Sequence, residues 1–174
     1  GKRITEIAQT QGVSMEEAII NMLIASEGKV ITFFETLNEE NVRLALKHPL
    51  AFIGSDGSGY DISYYKRKGE LVHPRCFGAF PRFLGRYVRE NKLMSWEEAI
   101  YKITGGPAEK LGLKNRGTIK AGNFADVVIF NPKTIIDKAT FSNPFQYPEG
   151  VDYVIINGKI VIDKGKYTGE KAGK

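Results

Sequence analysis

The sequence is poor in the residues that build metal centres and disulfides. It has one cysteine, Cys76, and two histidines, His48 and His73, in 174 residues. A single thiol excludes an internal disulfide and fits a reducing, cytoplasmic setting. There is no His-x-His, no His-Glu-x-x-His and no Cys-x-x-Cys, so local motifs cannot assemble an ordinary three- or four-ligand zinc site. No apolar run approaches the roughly 20 residues of a membrane span, and no membrane partner is expected. Gly169 to Lys174 only grazes a phosphate-binding loop, being one spacer short and lacking the Ser/Thr.

Charge is also modest. Net charge is +5, from 25 basic and 20 acidic residues spread along the chain. The densest basic run, Lys66-Arg67-Lys68 beside Tyr64 and Tyr65, has no extension, so it reads as a solvated loop and no nucleic-acid partner is expected. Arg82, Arg86 and Arg89 share one helical face, which could bind an anion or simply meet solvent.

What is present is a change of grammar along the chain. Residues 2–26 have helical periodicity broken at Gly12, with Ser14-Met15-Glu16-Glu17 as a capping box and an Ala18, Ile19, Met22, Leu23 stripe. Lys29 to Phe34 reads as a strand. Asn38 caps a helix over Glu39 to Lys47, with His48 as its C-terminal cap. Leu50 to Ile53, apolar at consecutive positions, suits a parallel strand covered on both faces. A long loop runs from 57 to 73. Pro81 opens a helix through Arg89, Ser95 caps another, and a short helix spans Pro107 to Leu111. After Gly117 the pattern is β, with Ala125 to Phe130 as a strand. Asn157-Gly158 sits between two apolar runs as a type I′ hairpin turn.

The chemistry-bearing stretch is Ile53-Gly-Ser-Asp-Gly57. An apolar run stops at one carboxylate, Asp56, among glycines. At the C-terminal end of a barrel strand that is where catalytic groups cluster; an Asx-turn or cap is the other reading. The loop after it closes on His73-Pro74-Arg75-Cys76. There a proton donor and a bidentate carboxylate binder could meet, and Cys76 reads as a buried structural thiol.

Taken together, these motifs resemble a known family. SDG at 55–57, HPR at 73–75, FGAFPRFLGRYVRE at 77–90, the Lys102-Ile-Thr-Gly105 helix end, RGTIKAGNFADVVIFNPKTIID at 116–137 and the NPFQYPEGVDYVIINGKIV segment resemble N-acyl-D-amino-acid deacylases, or D-aminoacylases, of the metal-dependent amidohydrolase superfamily. The RG-x-I-x-x-G-x-x-ADVV stretch is shared with dihydroorotases and hydantoinases. The SDG, HPR and FGAFPR set is more specific.

The resemblance implies an α/β fold: the C-terminal part of a (β/α)8 TIM-like barrel in residues 1–115, followed by part of a small β-sandwich in 116–174. Lys29–Phe34 would be strand seven and Leu50–Ile53 strand eight. It implies zinc in the complete enzyme, where zinc lowers the pKa of bound water to about 7. Asp56 would be the catalytic acid/base, Arg75 would bind the substrate α-carboxylate, and His73 would join the substrate site. The family's metal-binding histidines and cysteine have no counterpart here. The chain is therefore expected to hold no metal, with Asp56 at most a weak contributor, and to be inactive alone. The expected partners are an N-acyl-D-amino acid and either the missing N-terminal barrel half or a second copy. A cyclic-amide hydrolase fragment of the dihydroorotase or hydantoinase kind and a non-catalytic assembly module are the alternatives.

Overall fold

The structure, a computed structural model, describes residues 2–30, 32, 34, 36–68 and 71–173. It divides into two compact units, residues 1–36 and 37–174.

The first unit is a helical hairpin. Helix α1 spans Ile4–Gln11 and ends at Gly12, whose φ of 67° is the left-handed conformation a glycine adopts freely. Helix α2, Met15–Ala25, begins where the Ser14 hydroxyl accepts from the Glu17 amide at 3.1 Å, the N-cap half of the expected capping box. Of its predicted stripe, Ala18 is fully buried, while Ile19 and Leu23 remain exposed. Two residues of the predicted Lys29–Phe34 strand, Ile31 and Phe33, lie outside the described residues. Lys29, Val30, Thr32 and Phe34 carry no ladder.

The second unit opens with α3, Glu39–Lys47, capped by Asn38 through a 2.8 Å bond from the Asn41 amide. The predicted strand at Leu50–Ile53 does not form. Instead His48–Ala51 makes a turn closed by the Ala51 amide on the His48 carbonyl, and the chain then runs on without regular structure. A strand needs a ladder beside it, and among the described residues this stretch instead bonds to a helix, the Ile53 amide donating to the Lys102 carbonyl. The expected loop at 57–73 contains a helix, α4, Ile62–Lys68. Its three terminal cations sit where a helix end favours positive charge, and the Lys68 ammonium lies 4.7 Å from the Tyr64 ring.

Helix α5 runs Arg75–Arg82, so it starts six residues before the Pro81 that was expected to open it. Pro81 lies inside it, and from Phe83 to Glu90 the chain continues as a π-helix. The Asn91 amide accordingly reaches the Arg86 carbonyl, five residues back, at 3.0 Å. Helix α6 is Trp96–Ile103, capped by Ser95, and α7 is Gly105–Lys110.

Four antiparallel strands follow: β1 Val127–Phe130, β2 Val151–Ile156, β3 Lys159–Asp163 and β4 Lys166–Tyr167, in meander order. The β2–β3 turn has φ of 49° at Asn157 and 80° at Gly158, both positive as a type I′ turn demands. Among the described residues this is a single sheet; the second layer of a sandwich is not seen.

One core holds this unit together. Phe83, Leu84, Tyr87, Val88, Ala99 and Ile135 are buried, with Val42, Leu46, Ile53, Trp96, Phe130 and Val151 packed on them. The glycines of the FGAFPRFLG stretch explain its close approach. A Cβ at Gly85 would lie 2.4 Å from the Ile135 carbonyl oxygen, and one at Gly78 would lie 2.7 Å from Asp137 Cβ. The three arginines of that face serve the same packing. Arg82 pairs with Asp137 at 3.2 Å, Arg86 with Glu39 at 3.5 Å, and Arg89 donates to the Ile135 carbonyl at 2.5 Å. The face is neither a free anion site nor a merely solvated one.

The 116–126 stretch is likewise explained by packing. Arg116 pairs with Asp126, its guanidinium lies 4.3 Å from the Phe124 ring, and it donates to the Asn157 side chain at 3.1 Å. Asp126 accepts from the Asn157 amide at 2.8 Å. The motif therefore clamps the type I′ hairpin turn.

Candidate active site

Asp56 and Arg75 are 19 residues apart in sequence and meet in space. Arg75 Nη2 lies 2.9 Å from Asp56 Oδ2. Two local features bring them together. Asp56 sits at φ 47°, a left-handed conformation that a short polar residue tolerates and that turns its carboxylate out of the chain path. Gly57 lies against the first turn of α5, where an added Cβ would be 2.9 Å from Cys76 Cα. The glycine after the aspartate thus lets the two motifs dock.

Arg75 is the first residue of α5, after Pro74, a residue suited to the start of a helix. His73 is fixed by this same start. Its Nδ1 accepts from the Arg75 amide at 3.0 Å, which assigns the ring proton to Nε2. Its ring stands edge-on to Phe141, with centroids 5.1 Å apart. Burial lowers the His73 pKa from its ordinary value, and the Arg75 charge lowers it further; the Asp56 carboxylate acts in the opposite sense. His73 is therefore a neutral imidazole at pH 7.

Cys76 is partly exposed rather than the buried thiol expected, because it lies at the surface end of α5 under Gly57. His48 caps α3 through backbone geometry, its Nδ1 accepting from the Leu50 amide at 3.3 Å. The Asp56 side chain is 85% exposed and that of Arg75 44%. An ion pair this open contributes about 0–1 kcal/mol, so a ligand carboxylate could displace Asp56 from Arg75 at little cost.

One feature escaped sequence reasoning. The 141–147 segment supplies aromatic rings beside α5: Phe141 on His73, and Phe145 and Tyr147 at 5.8 and 6.0 Å from Phe77. The signal was there in the aromatic spacing of Phe141, Phe145 and Tyr147 among prolines.

No three His, Cys, Asp or Glu residues among those described converge as a metal site. Asp56, His73 and Cys76 do not fit a zinc centre by themselves. A shallow groove of about 550 Å³, lined by Arg89, Lys92, Trp96 and Lys133 among others, contains neither Asp56, His73 nor Arg75.

The comparison with known proteins decides the family. The Amidohydrolase family pattern matches residues 17–162. The chain belongs to the amidohydrolase family. It is 35% identical over its full length to the D-aminoacylase of Alcaligenes xylosoxydans xylosoxydans, covering 33% of that protein. It is 34% identical over 87% of its length to an N-acyl-D-aspartate deacylase of the same organism, covering 28% of it. Among solved structures, a D-aminoacylase superposes with a TM-score of 0.81 at 36% identity, over 99% of this chain and 34% of that one. An N-acyl-D-glutamate deacylase from Bordetella bronchiseptica, complexed with zinc and a phosphonate mimic of the tetrahedral intermediate, superposes with a TM-score of 0.76 at 32% identity, over 92% of this amidohydrolase chain and 31% of that one. The chain spans about a third of the length of the curated relatives it matches. No described helix is long and apolar enough to cross a membrane.

Proposed function

We propose that this chain supplies the acid/base and carboxylate-binding part of a zinc-dependent hydrolase of N-acyl-D-amino acids. The observation that carries the reading is the 2.9 Å meeting of Asp56 with Arg75. It occurs in a chain 35% identical to a D-aminoacylase from end to end. In this reading residues 1–115 contribute the last units of a (β/α)8 barrel and residues 116–174 part of a β-sandwich. The remaining barrel strands and the metal ligands lie outside these residues, and the chain alone is inactive.

The chemistry then follows from the side chains present. The guanidinium of Arg75 offers a planar fork that matches a carboxylate. The substrate α-carboxylate takes the place of Asp56 on that fork. Asp56, released, is free to move a proton. Water adds to the acyl carbonyl, Asp56 accepts the proton it loses, and the same carboxyl delivers that proton to the nitrogen as the C–N bond breaks. The products are a carboxylate and a free D-amino acid. Neutral His73 holds the Arg75 amide and closes the site toward Phe141.

The test is a chimera in which this chain replaces the matching third of the Alcaligenes D-aminoacylase. The proposal expects zinc-dependent release of free D-amino acids from N-acetyl-D-amino acids, and none from hydantoins or dihydroorotate. A folded, zinc-loaded chimera that cleaves only the cyclic amides would sink it.

A further inference from the structure

Lys102 is an oddity in the core of the second unit. Only 2% of it is exposed, and no carboxylate of the described residues pairs with it. Burying an ammonium is costly, and an apolar residue of the same length would fill the space without that cost. What an apolar residue cannot do is bind carbonyls. Lys102 Nζ donates to the His48 carbonyl at 2.6 Å and to the Ala51 carbonyl at 3.0 Å. Its own carbonyl accepts from the Ile53 amide at 3.3 Å.

Three attachments thus join one residue of α6 to the stretch that leads into Asp56. Neighbouring contacts reinforce them. The Phe52 ring lies so close to Gly106 that an added Cβ would be 2.4 Å away, and it stands edge-on to Tyr101 at 6.4 Å. Ile53 packs on the core. His48 also ends α3, where carbonyls lacking helical partners favour a cation. With no strand ladder around 48–53 among the described residues, these bonds set where the segment lies.

We propose that Lys102 is a positioning residue for Asp56: it pins the 48–53 segment to α6 and so fixes where the catalytic carboxylate emerges. Its link to catalysis rests on the function proposed above. Arg75 lies on α5 and is not held by these bonds. Lys102→Met should therefore lower kcat and leave KM nearly unchanged.

The test has two arms. The first is amide hydrogen exchange on the purified chain and needs no activity. In the unmodified chain the Ile53 amide should be protected. In Lys102→Met it should exchange at least tenfold faster, while the Ala99 amide, bonded to the Ser95 carbonyl within α6, keeps its protection. Lys102→Gln, with a shorter donor, should fall between and serves if the methionine variant does not fold. An unprotected Ile53 amide in the unmodified chain, or protection unchanged in either folded variant, overturns the inference.

The second arm is a double-mutant cycle in the active chimera. Lys102→Met should lower kcat on the order of 10²-fold, as displacement of a catalytic group by about 1 Å does. In an Asp56→Asn background it should cost almost nothing further. Equal losses in both backgrounds would make Lys102 a structural residue only. If Asp56→Asn itself has no effect, the function proposed above fails, and the exchange arm still decides whether Lys102 holds the segment.

Discussion

Asp56 and Arg75, 2.9 Å apart, form an ion pair that is wide open to solvent. A pair buried for stability would be shielded. This one is exposed and held by two docked motifs, so its partners can separate at little cost. Its consequence concerns Arg75 first. Arg75→Lys keeps the charge but loses the bidentate fork. In the active chimera KM for N-acetyl-D-amino acids should rise about tenfold or more, equivalent to roughly 1.5–3 kcal/mol of charge-assisted bonding, with a smaller change in kcat. Steady-state kinetics check this. An unchanged KM would remove Arg75 from substrate binding.

His73 gives a prediction in pH. Its pKa is lowered by burial and by Arg75, so the folded state prefers the neutral ring. The unfolded chain has the ordinary value near 6.5. The folded state then binds fewer protons than the unfolded one across the interval below about 6.5. The His73 contribution to stability is complete above that pH, falls as pH drops through the interval, and levels off below the folded-state value. Protonation would also displace the Arg75 amide from Nδ1. NMR titration should place the His73 midpoint below 6.5, and lower still in Asp56→Asn, which removes a charge acting upward. A midpoint above 6.5 would contradict the geometry.

Gly85 tests the helix packing. Gly85→Ala drives a methyl to within 2.4 Å of the Ile135 carbonyl oxygen, a backbone atom with little room to yield. Overpacking of this kind costs about 1–3 kcal/mol. Denaturant unfolding of the second unit should show a lower midpoint with an unchanged slope. An unchanged midpoint would mean that the π-helical stretch can shift to make room.

Asp126 tests the clamp on the hairpin. Asp126→Ala removes the ion-pair partner of Arg116 and leaves the Asn157 amide without its acceptor. The expected loss is about 1–3 kcal/mol, seen as a lower melting temperature. In the active chimera KM should not change, because neither group lies in the Asp56–Arg75 site.

Local chemistry was legible from sequence where one residue decides the outcome. The Ser14, Asn38 and Ser95 caps and the Asn157-Gly158 turn formed as expected, since each depends on neighbours a few residues away. The apolar run Leu50–Ile53 does not form the expected strand, because a strand is defined by a partner and none stands beside it among the described residues. Pro81 was misread as a helix start. A proline marks a boundary only on average, and here the helix began at Arg75 and passed through it into π geometry. Asp56 and Arg75 were named from their motifs, yet no spacing rule could show that they touch. That depends on Gly57 resting on Cys76. The roles of Lys102 and Phe141 were illegible for the same reason: their partners lie 54 and 68 residues away in sequence.

The most direct measurement is kcat of the zinc-loaded chimera with Asp56 intact and with Asp56→Asn, at matched zinc content. Asparagine keeps the shape of the side chain and removes its ability to carry a proton. The account predicts that kcat falls about 10²–10⁴-fold with KM little changed. A folded Asp56→Asn chimera that retains its kcat would contradict the account, and the Asp56–Arg75 pair would then be a surface contact with no part in deacylation.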